Sequence, residues 1–585
     1  MKYPTLREQQ ASREMIDTFR GYNHNLRIGD GEFFDMKNMT SNYYPVLSPR
    51  EKRGVYALPD APAGLIAKDT LCYVDGTDFV MDEYRIDMGL SVKEEECPKQ
   101  LISMGAYVII MPDRKYINTM DITDFGNIDA SVTTSAEVRF ELCTEDGDLY
   151  ENATVSDTEP EEPENFDLWI DTSANPHTLK KYSASSSMWM SIATTYIKIS
   201  SAGVGAAFKQ YDGVTISGIK AAQLSDLNST MTLWGCGQNY LIVVGMLDAV
   251  MLQSIEDGAI TIERKMPNID FLTESGNRLW GCRYGTSVNG KIVNEIYASK
   301  LGDFRNWNCF MGLSTDSYVA SCGTDGQFTG AVTHLGYPLF FKEGYVHKVY
   351  GNYPSNYQIQ TTACRGVEKG SQGSLAIVNE VLYYKGKNGI CAYDGSLPSE
   401  VSYVLGGEGY RLAVGGAHGN KYYVSMQDVA GEWVLFVYDT EKRLWHKEDG
   451  LHADAFCSCR GEMYCIEHDS KKILALLGSG TAYEEDIEWM VETGEVGISS
   501  PDMKYVSRLT IRMSMDIGAV MKIFARYDLE NEWKLLGEIQ GTSLRSFSIP
   551  VMPRRCDYLK LKLEGTGMCK IYSITKTIEQ GSELS

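Results

Sequence analysis

The chain has 585 residues, a formal net charge of −23 and a pI near 4.9. This length predicts several domains, each large enough to bury its own hydrophobic core. The acidic charge works against general binding to nucleic acid or to an anionic membrane, because the long-range field repels phosphate.

The first residues predict a short amphipathic helix. Thr5 and Glu8 fit a capping box, and apolar residues recur near helical spacing behind them, so we expect a helix over residues 5–18. The sequence contains no apolar run of signal-peptide or membrane-spanning length. We therefore expect synthesis in a cytoplasm and no membrane insertion.

Residues 19–54 predict an extended arm, because they are rich in turn-forming residues and contain bursts of aromatic residues. With the helix, the arm makes up a predicted N-terminal region over residues 1–54. Two interpretations of the arm stay open at this point. It packs over its own domain, or it contacts a neighbouring subunit.

Residues 55–130 predict the first part of a β-propeller. Alternating residues within 71–80 meet a turn-forming Asp75-Gly76 pair, and a second hairpin ends within 105–113. Hairpins of this kind are typical of propeller blades, each of which is a four-stranded sheet.

Residues 131–266 interrupt this pattern and predict an inserted β-rich domain. Strands are expected within 138–142 and 188–199, where apolar and β-branched residues are concentrated. The acidic, proline-containing stretch 145–167 predicts a solvated loop. Residues 159–164 lack the alternating ligands and the central glycine of a calcium loop, so we expect no metal there.

Residues 267–490 predict the second part of the propeller, because a motif of strand, tight turn and strand recurs about every 40 to 60 residues. Five such blades, added to the two early ones, predict a ring of about seven. The motifs are Gly276-Asn277-Arg278-Leu279-Trp280, Gly336-Tyr337-Pro338-Leu339, Asn379-Glu380-Val381-Leu382, Gly419-Asn420-Lys421-Tyr422 and Arg460-Gly461-Glu462-Met463.

Residues 491–585 predict a C-terminal antiparallel β-sandwich. From residue 503 onward, several segments alternate large apolar with polar residues, which is the period of strands with one buried face. The predicted fold class is therefore all-β: a propeller of about seven blades, with an inserted β domain, an N-terminal arm and a C-terminal sandwich.

Patterns that support chemistry are largely missing from the sequence. The fourteen cysteines lie singly, apart from Cys457 and Cys459, and we expect them to be reduced. Glycine-rich segments such as 386–389 and 406–409 lack the ending or the strand-to-helix context of a phosphate-binding loop, and we interpret them as turns. Paired carboxylates of a glycosidase are not excluded, but the Ser-x-Asp-x-Gly-x-Thr-Trp box of sialidase-type blades is absent.

None of the eight histidines shows the spacing of a known metal site. Five lie near predicted hairpins, where they either converge or serve as ordinary core and surface residues; we favour the second interpretation. These are His347, His418, His446, His452 and His468. The sequence thus predicts no catalytic residues, no cofactor, no cofactor-binding or metal-binding residues, and no enzymatic activity.

The 36 tyrosines also have two interpretations, a sugar-binding groove or strand faces and subunit interfaces, and we favour the second. Arg554 and Arg555 precede a predicted strand. They either pair with carboxylates of an adjoining subunit or flank an edge strand as solvated charges, and we favour the solvated role.

Two stretches resemble structural proteins of tailed bacteriophages. The C-terminal run Met503-Lys504-Tyr505-Val506-Ser507-Arg508-Leu509, together with residues 549–567, resembles the terminal domain of such proteins. The arm segment 28–39, with its Gly-Asp-Gly and Asp-Met-Lys-Asn-Met sequences, is similar to the arm that precedes their propeller.

This resemblance implies a subunit of the virion tail, similar to the nozzle proteins of short-tailed phages. The expected partners are further copies of the same chain in a ring, for example of six, and other tail or connector proteins. Phage DNA would pass through transiently without specific binding, since an acidic wall repels it. The alternative expectations are a carbohydrate-binding or carbohydrate-cleaving propeller in host recognition, and a monomeric cytosolic interaction platform.

Overall fold

The computed structural model assigns nearly all regular structure to β-strands, which confirms the predicted all-β class. It describes residues 11–92, 99–287, 289–496, 503–551 and 554–580. Within these ranges, the helices are four short 3-10 turns, and none is long and apolar enough to cross a membrane. The turns are η1 (Ala222–Leu227), η2 (Pro354–Asn356), η3 (Gln372–Ser374) and η4 (Tyr403–Leu405).

The chain divides into two compact units. Unit 1 comprises Met1–Leu101, Phe340–Val346 and Thr362–Ser585, and unit 2 comprises Ile102–Leu339 and His347–Thr361. The domain boundaries drawn from the sequence at 54, 130, 266 and 490 stay predictions.

The N-terminal region forms short strands. They are β1 (Ser12–Ile16), β2 (Gly21–Tyr22), β3 (Glu32–Lys37), β4 (Met39–Thr40), β5 (Ser48–Pro49) and β6 (Gly54–Ala57). The helix predicted over residues 5–18 is wrong where this segment is described, because residues 12–16 form β1; residues 1–10 lie outside the described ranges. Pairing with a distant strand outweighs local periodicity here, since Ile16 lies opposite Ile574 and Glu14 opposite Lys576.

Two four-stranded antiparallel sheets follow, each joining its strands in chain order. The first contains β7 (Pro62–Ala67), β8 (Leu71–Asp75), β9 (Asp78–Met81) and β10 (Tyr84–Asp87). The second contains β11 (Gln100–Met104), β12 (Tyr107–Met111), β13 (Lys115–Asn118) and β14 (Asp121–Asn127). Both hairpins predicted in this part of the chain are confirmed.

The predicted inserted region is β-rich, as expected. Its strands are β15 (Ala130–Thr133), β16 (Val138–Cys143), β17 (Thr154–Ser156), β18 (Leu168–Asp171), β19 (Thr178–Ser183), β20 (Met188–Ser191), β21 (Tyr196–Ser200), β22 (Gly213–Ser217), β23 (Thr230–Thr232), β24 (Gly235–Gly237), β25 (Tyr240–Val244), β26 (Met251–Gln253) and β27 (Thr261–Arg264). They form three sheets, of which one joins β17 to β20. The acidic stretch 145–167 is mostly exposed, as predicted, and it includes the short and largely exposed strand β17.

Five further sheets contain runs of consecutive strands. Their strands are β28 (Phe271–Ser275), β29 (Arg278–Thr286), β30 (Ile292–Ala298), β31 (Tyr318–Ser321), β32 (Gly330–His334), β33 (Tyr337–Lys342), β34 (Tyr345–Tyr350), β35 (Gln358–Ala363), β36 (Ala376–Val378), β37 (Val381–Gly386), β38 (Gly389–Tyr393), β39 (Ser399–Glu400), β40 (Arg411–His418), β41 (Lys421–Gln427), β42 (Trp433–Asp439), β43 (Leu444–Lys447), β44 (Ala453–Cys459), β45 (Glu462–Glu467), β46 (Ile473–Ala475) and β47 (Ala482–Tyr483). The N-terminal strand β6 completes the last of these sheets by pairing with β46.

All five predicted turn motifs join the first two strands of these sheets, which confirms them. In the Gly276–Asn277 turn φ is 61° and 59°, and in the Arg460–Gly461 turn it is 49° and 80°. Two consecutive positive φ angles are typical of the type I′ turn, whose twist matches that of the flanking strands. The local sequence signal therefore located these hairpins correctly.

The C-terminal strands alternate buried and exposed residues, as predicted. They are β48 (Glu488–Thr493), β49 (Lys504–Tyr527), β50 (Lys534–Pro550), β51 (Leu559–Thr566) and β52 (Cys569–Gln580). These strands share one sheet with β1, β2, β3 and β40 to β43, in which β3 pairs with β48 and β2 with β43.

The arm is part of the core of unit 1. Phe33 and Met36 are buried in one cluster with Trp445 and Trp489, and both indole N–H groups donate to backbone carbonyls. Removing several large apolar side chains from water is the main source of stabilisation at such a site. This confirms that the arm packs over its own domain, and contact with a neighbouring subunit stays a prediction.

Candidate functional site

The arm is held in unit 1 by a cluster of buried and half-buried charges, which we call the arm clamp: Arg50, Arg53, Glu448, Asp449 and Glu484. Arg53 donates to Asp449 Oδ2 and Glu448 Oε2, each at 2.7 Å, and Arg50 donates to Glu484 Oε2 at 2.7 Å. The two arginines are only 5% and 3% exposed. Buried guanidinium groups need such carboxylate partners, because desolvation of an unpaired charge is very costly.

The titration of the clamp reflects this pairing. Burial works to raise the pKa of Asp449, but the charge and hydrogen bonds of Arg53 and the charge of Arg50 outweigh it and hold that pKa below its ordinary value. The pKa of Glu484 is lowered in the same way, with burial opposed chiefly by the hydrogen bond and charge of Arg50. Both carboxyl groups therefore stay ionised and serve as fixed counter-ions.

A polar cavity of about 390 Å³ lies beside the clamp and is lined by arm residues and by the β40–β41 turn. The Lys421 ammonium donates to Thr40 Oγ1 at 3.1 Å and to Asn42 Oδ1 at 2.5 Å, and Ser41 Oγ donates to Asp439 Oδ2 at 2.6 Å. Burial lowers the pKa of Lys421, with Glu448 and Asp439 opposing the shift. Because these polar groups already form hydrogen bonds with arm residues, the cavity walls hold the arm in place and are less suited to bind a ligand.

Glu492 has one property of a proton donor, because burial raises its pKa against the charges of Arg526 and Lys560. Arg526 Nη2 lies 3.2 Å and Lys560 Nζ 3.9 Å from Glu492 Oε1. A glycosidase acid needs a raised pKa and a second carboxylate across the scissile bond. Because Glu492 is instead held by two cations, its arrangement supports an ion cluster on the sheet.

The five histidines singled out in the sequence have different surroundings. His347 Nε2 and Nδ1 each lie 2.9 Å from a threonine hydroxyl, and His418 Nδ1 lies 2.9 Å from Ser458 Oγ. Burial, with a smaller contribution from Lys421, lowers the pKa of His446 to about 3. The remaining two, His452 and His468, stack on each other with ring centroids 4.0 Å apart.

Two other groups follow the sequence predictions only in part. Arg554 forms an ion pair with Glu530 of its own chain and lies over the Tyr527 ring, a partner that neither interpretation included. The thirteen described cysteines form no disulfide bonds with one another, and their reduced state stays a prediction.

The comparisons with known proteins give distant structural likenesses only. No protein-family model and no curated protein matches the chain. Among solved structures, the exo-β-1,3-galactanase from Phanerochaete chrysosporium is 10% identical with a TM-score of 0.22, and the match covers 52% of this chain and 94% of that one. A family 43 arabinoxylan arabinofuranohydrolase from Bacillus subtilis is 8% identical, with a TM-score of 0.15 and coverage of 53% and 95%.

A sialidase from Trypanosoma rangeli is also 8% identical, with a TM-score of 0.17 and coverage of 91% and 96%. These matches to glycoside hydrolases contradict the sequence prediction that the chain is not an enzyme, and we withdraw that prediction. With TM-scores this low, the matches carry no argument for a particular reaction or substrate.

Proposed function

We propose that this chain is a structural component of a bacteriophage virion tail, a propeller subunit that assembles as a ring around the DNA exit path. The observation that carries the proposal is the position of the two stretches that resemble tail proteins. Arm segment 28–39 contributes β3, and the C-terminal run contributes β49, to the same sheet of unit 1. The parts that carry the resemblance thus form one structural element.

The propeller part of the proposal is supported by the sheets. Six groups of four sequential strands, beginning with β7, β11, β28, β32, β36 and β40, match the composition of blades, and a seventh joins β44, β45 and β46 to the N-terminal strand β6. In this proposal the C-terminal strands form the sandwich and the strands of residues 131–266 form the inserted domain. Both are candidates for contacts with neighbouring copies and with other tail or connector proteins.

The net charge of −23 agrees with transient passage of DNA, because an acidic wall repels phosphate where a basic wall would retain it. The protein would be made in the cytoplasm of the bacterial host and end in the virion tail, without membrane insertion.

The test is to locate the chain in particles released by cells that encode it. We expect gold-labelled antibodies against the purified chain to bind one end of the particles in electron micrographs, and cryo-EM of that end to show a ring of copies. Particles that contain no copy of this chain by mass spectrometry would refute the proposal.

A second candidate function, carbohydrate binding in host recognition, is favoured by an aromatic cavity in unit 2. The cavity has a volume of about 310 Å³ and is lined by Trp280, Tyr337, Tyr357 and Asn352, among others. The Trp280 and Tyr357 rings lie 5.0 Å apart, and Tyr337 is 36% exposed. Aromatic walls with a few polar groups are typical of small-molecule sites.

Glycan-array binding by the full chain tests this candidate. We expect Tyr337→Ala to abolish binding, whereas Tyr403→Ala, which removes an exposed tyrosine of unit 1, should leave it unchanged. Equal binding by both variants and the unmodified chain would exclude this cavity.

A further inference from the structure

His452, Asp454 and His468 come together at the open end of the β44–β45 hairpin. His452 lies eight positions before Arg460 of the tight turn, and His468 lies eight positions after it. The backbone N–H of His468 donates to the backbone carbonyl of His452 at 2.9 Å. A bulge between Ala453 and Ala455 leaves Asp454 out of the paired register. Bulges of this kind redirect side chains, and here the result is a group of three potential ligands on one side of the hairpin.

The nitrogen and oxygen atoms that these side chains offer all lie within 4.8 Å of one another. Asp454 Oδ1 is 2.8 Å from His468 Nδ1, which leaves His468 Nε2 directed away from this bond. The His452 ring stacks between Trp433, at 3.7 Å, and His468, at 4.0 Å. The His452 ring thus offers a nitrogen to the same small volume as the other two side chains.

We propose that His452, Asp454 and His468 form a binding site for a divalent transition-metal cation, with zinc as the reference ion. Two imidazoles and a carboxylate are ligands that zinc, cobalt and nickel accept readily, whereas magnesium and calcium prefer sets made of oxygen atoms alone. The side chain of His468 is 52% and that of Asp454 28% exposed, so solvent can complete the coordination.

Binding requires a small contraction of the cluster. Ligand atoms of a tetrahedral zinc site lie about 3.4 Å apart, given metal–ligand distances of about 2.0 to 2.1 Å. Rotation of the exposed His468 side chain and the half-buried Asp454 side chain supplies this movement without disturbing the buried strands. The bound ion would cross-link the start of β44 to the end of β45, which is a structural role, and its open positions would be occupied by water.

A packing-only explanation makes a different prediction. If the two histidines simply cover Trp433, removal of the exposed ring of His468 changes stacking but no metal affinity. The two explanations therefore separate in a binding experiment on the intact chain.

The experiment uses the full chain, freed of metal with a chelator, at near-neutral pH. Cobalt(II) is titrated while its visible absorption and the tryptophan fluorescence are recorded, and zinc is then added as a competitor. We expect one equivalent to bind, with quenching that is lost in Trp433→Phe because that indole adjoins the site. Zinc should displace the cobalt, and magnesium and calcium should not.

His468→Ala and Asp454→Asn should each weaken binding by at least about tenfold, the scale expected when a metal site loses a coordinating or supporting group. The matched control is His418→Ala, which removes a histidine bonded to Ser458 and should bind as the unmodified chain does. His468 is exposed, so its replacement is expected to fold normally, as circular dichroism would show. Unchanged affinity in His468→Ala, or no saturable binding of either cobalt or zinc, would overturn the proposal.

Discussion

The arm clamp and the histidine cluster belong to the same unit and both draw residues from the segment 448–454, yet their polar groups have opposite surroundings. In the clamp, Arg50 and Arg53 are buried and surrounded by carboxylates. In the histidine cluster, the side chain of His468 is half exposed, and the His452 ring stacks on that of His468. A buried network of paired charges fixes structure, whereas a more open cluster of potential ligands is available to a ligand.

The largest effect is expected from Arg53→Ala, which would leave Glu448 and Asp449 buried with fewer partners. Breaking a buried ion pair from one side costs about 3 to 5 kcal/mol. Urea unfolding of the full chain should show this loss in the transition assigned to unit 1. The control is Lys52→Ala, whose partner Asp486 is 69% exposed, and for which we expect a loss of about 0 to 1 kcal/mol. Equal losses of unfolding free energy in both variants would mean that the buried ion pairs of the clamp stabilise the fold no more than an exposed ion pair does.

A smaller effect, of opposite sign, is expected when zinc binds the histidine cluster. Free zinc at about 100 times its dissociation constant should raise the apparent free energy of unfolding by about 2.7 kcal/mol, because the ion binds only the folded chain. Thermal or urea unfolding with and without zinc measures the change. The increase should disappear in His468→Ala and persist in His418→Ala; an equal increase in all three proteins would place the ion elsewhere.

The sequence predicted features that depend on neighbours along the chain and missed those that depend on distant ones. The turns at Gly276–Asn277 and Arg460–Gly461 were located because two adjacent residues with positive φ leave a local signature. The helix over residues 5–18 failed because β1 is determined by β52, whose residues Ile574 and Lys576 lie at the other end of the chain.

The same reasoning explains what was missed at the site. Arg50 and Glu484 are separated by 434 positions, and no local pattern reports such a pair. His452 and His468 were singled out, and their equal distance from Arg460 was the signal that could have paired them. The position of Asp454 could not be predicted from the sequence, because it depends on a bulge that shifts the strand register by one residue.

The smallest effect on the free energy of unfolding is expected from lowering the pH. This experiment tests whether the clamp carboxylates stabilise the fold as counter-ions of the two arginines. The pKa values of Asp449 and Glu484 are lower in the folded chain than their ordinary values of 3.8 and 4.5. The unfolded chain then binds more protons in this range, so the stabilisation is complete above the ordinary values and is lost as the pH falls through the lowered ones.

Urea unfolding followed from neutral pH to below the ordinary values should therefore show little contribution from these two groups above those values and a loss of stability below them. In Glu484→Gln, Glu448 and Asp449 still face the two arginines. The loss of stability with falling pH should therefore be less steep in this variant, and the part that remains comes from Asp449. The arginines remain charged throughout, which assigns the change to the carboxylates. A slope that is identical in Glu484→Gln and the unmodified chain would show that acid acts on other carboxylates, and the clamp would then differ from the histidine cluster in burial alone.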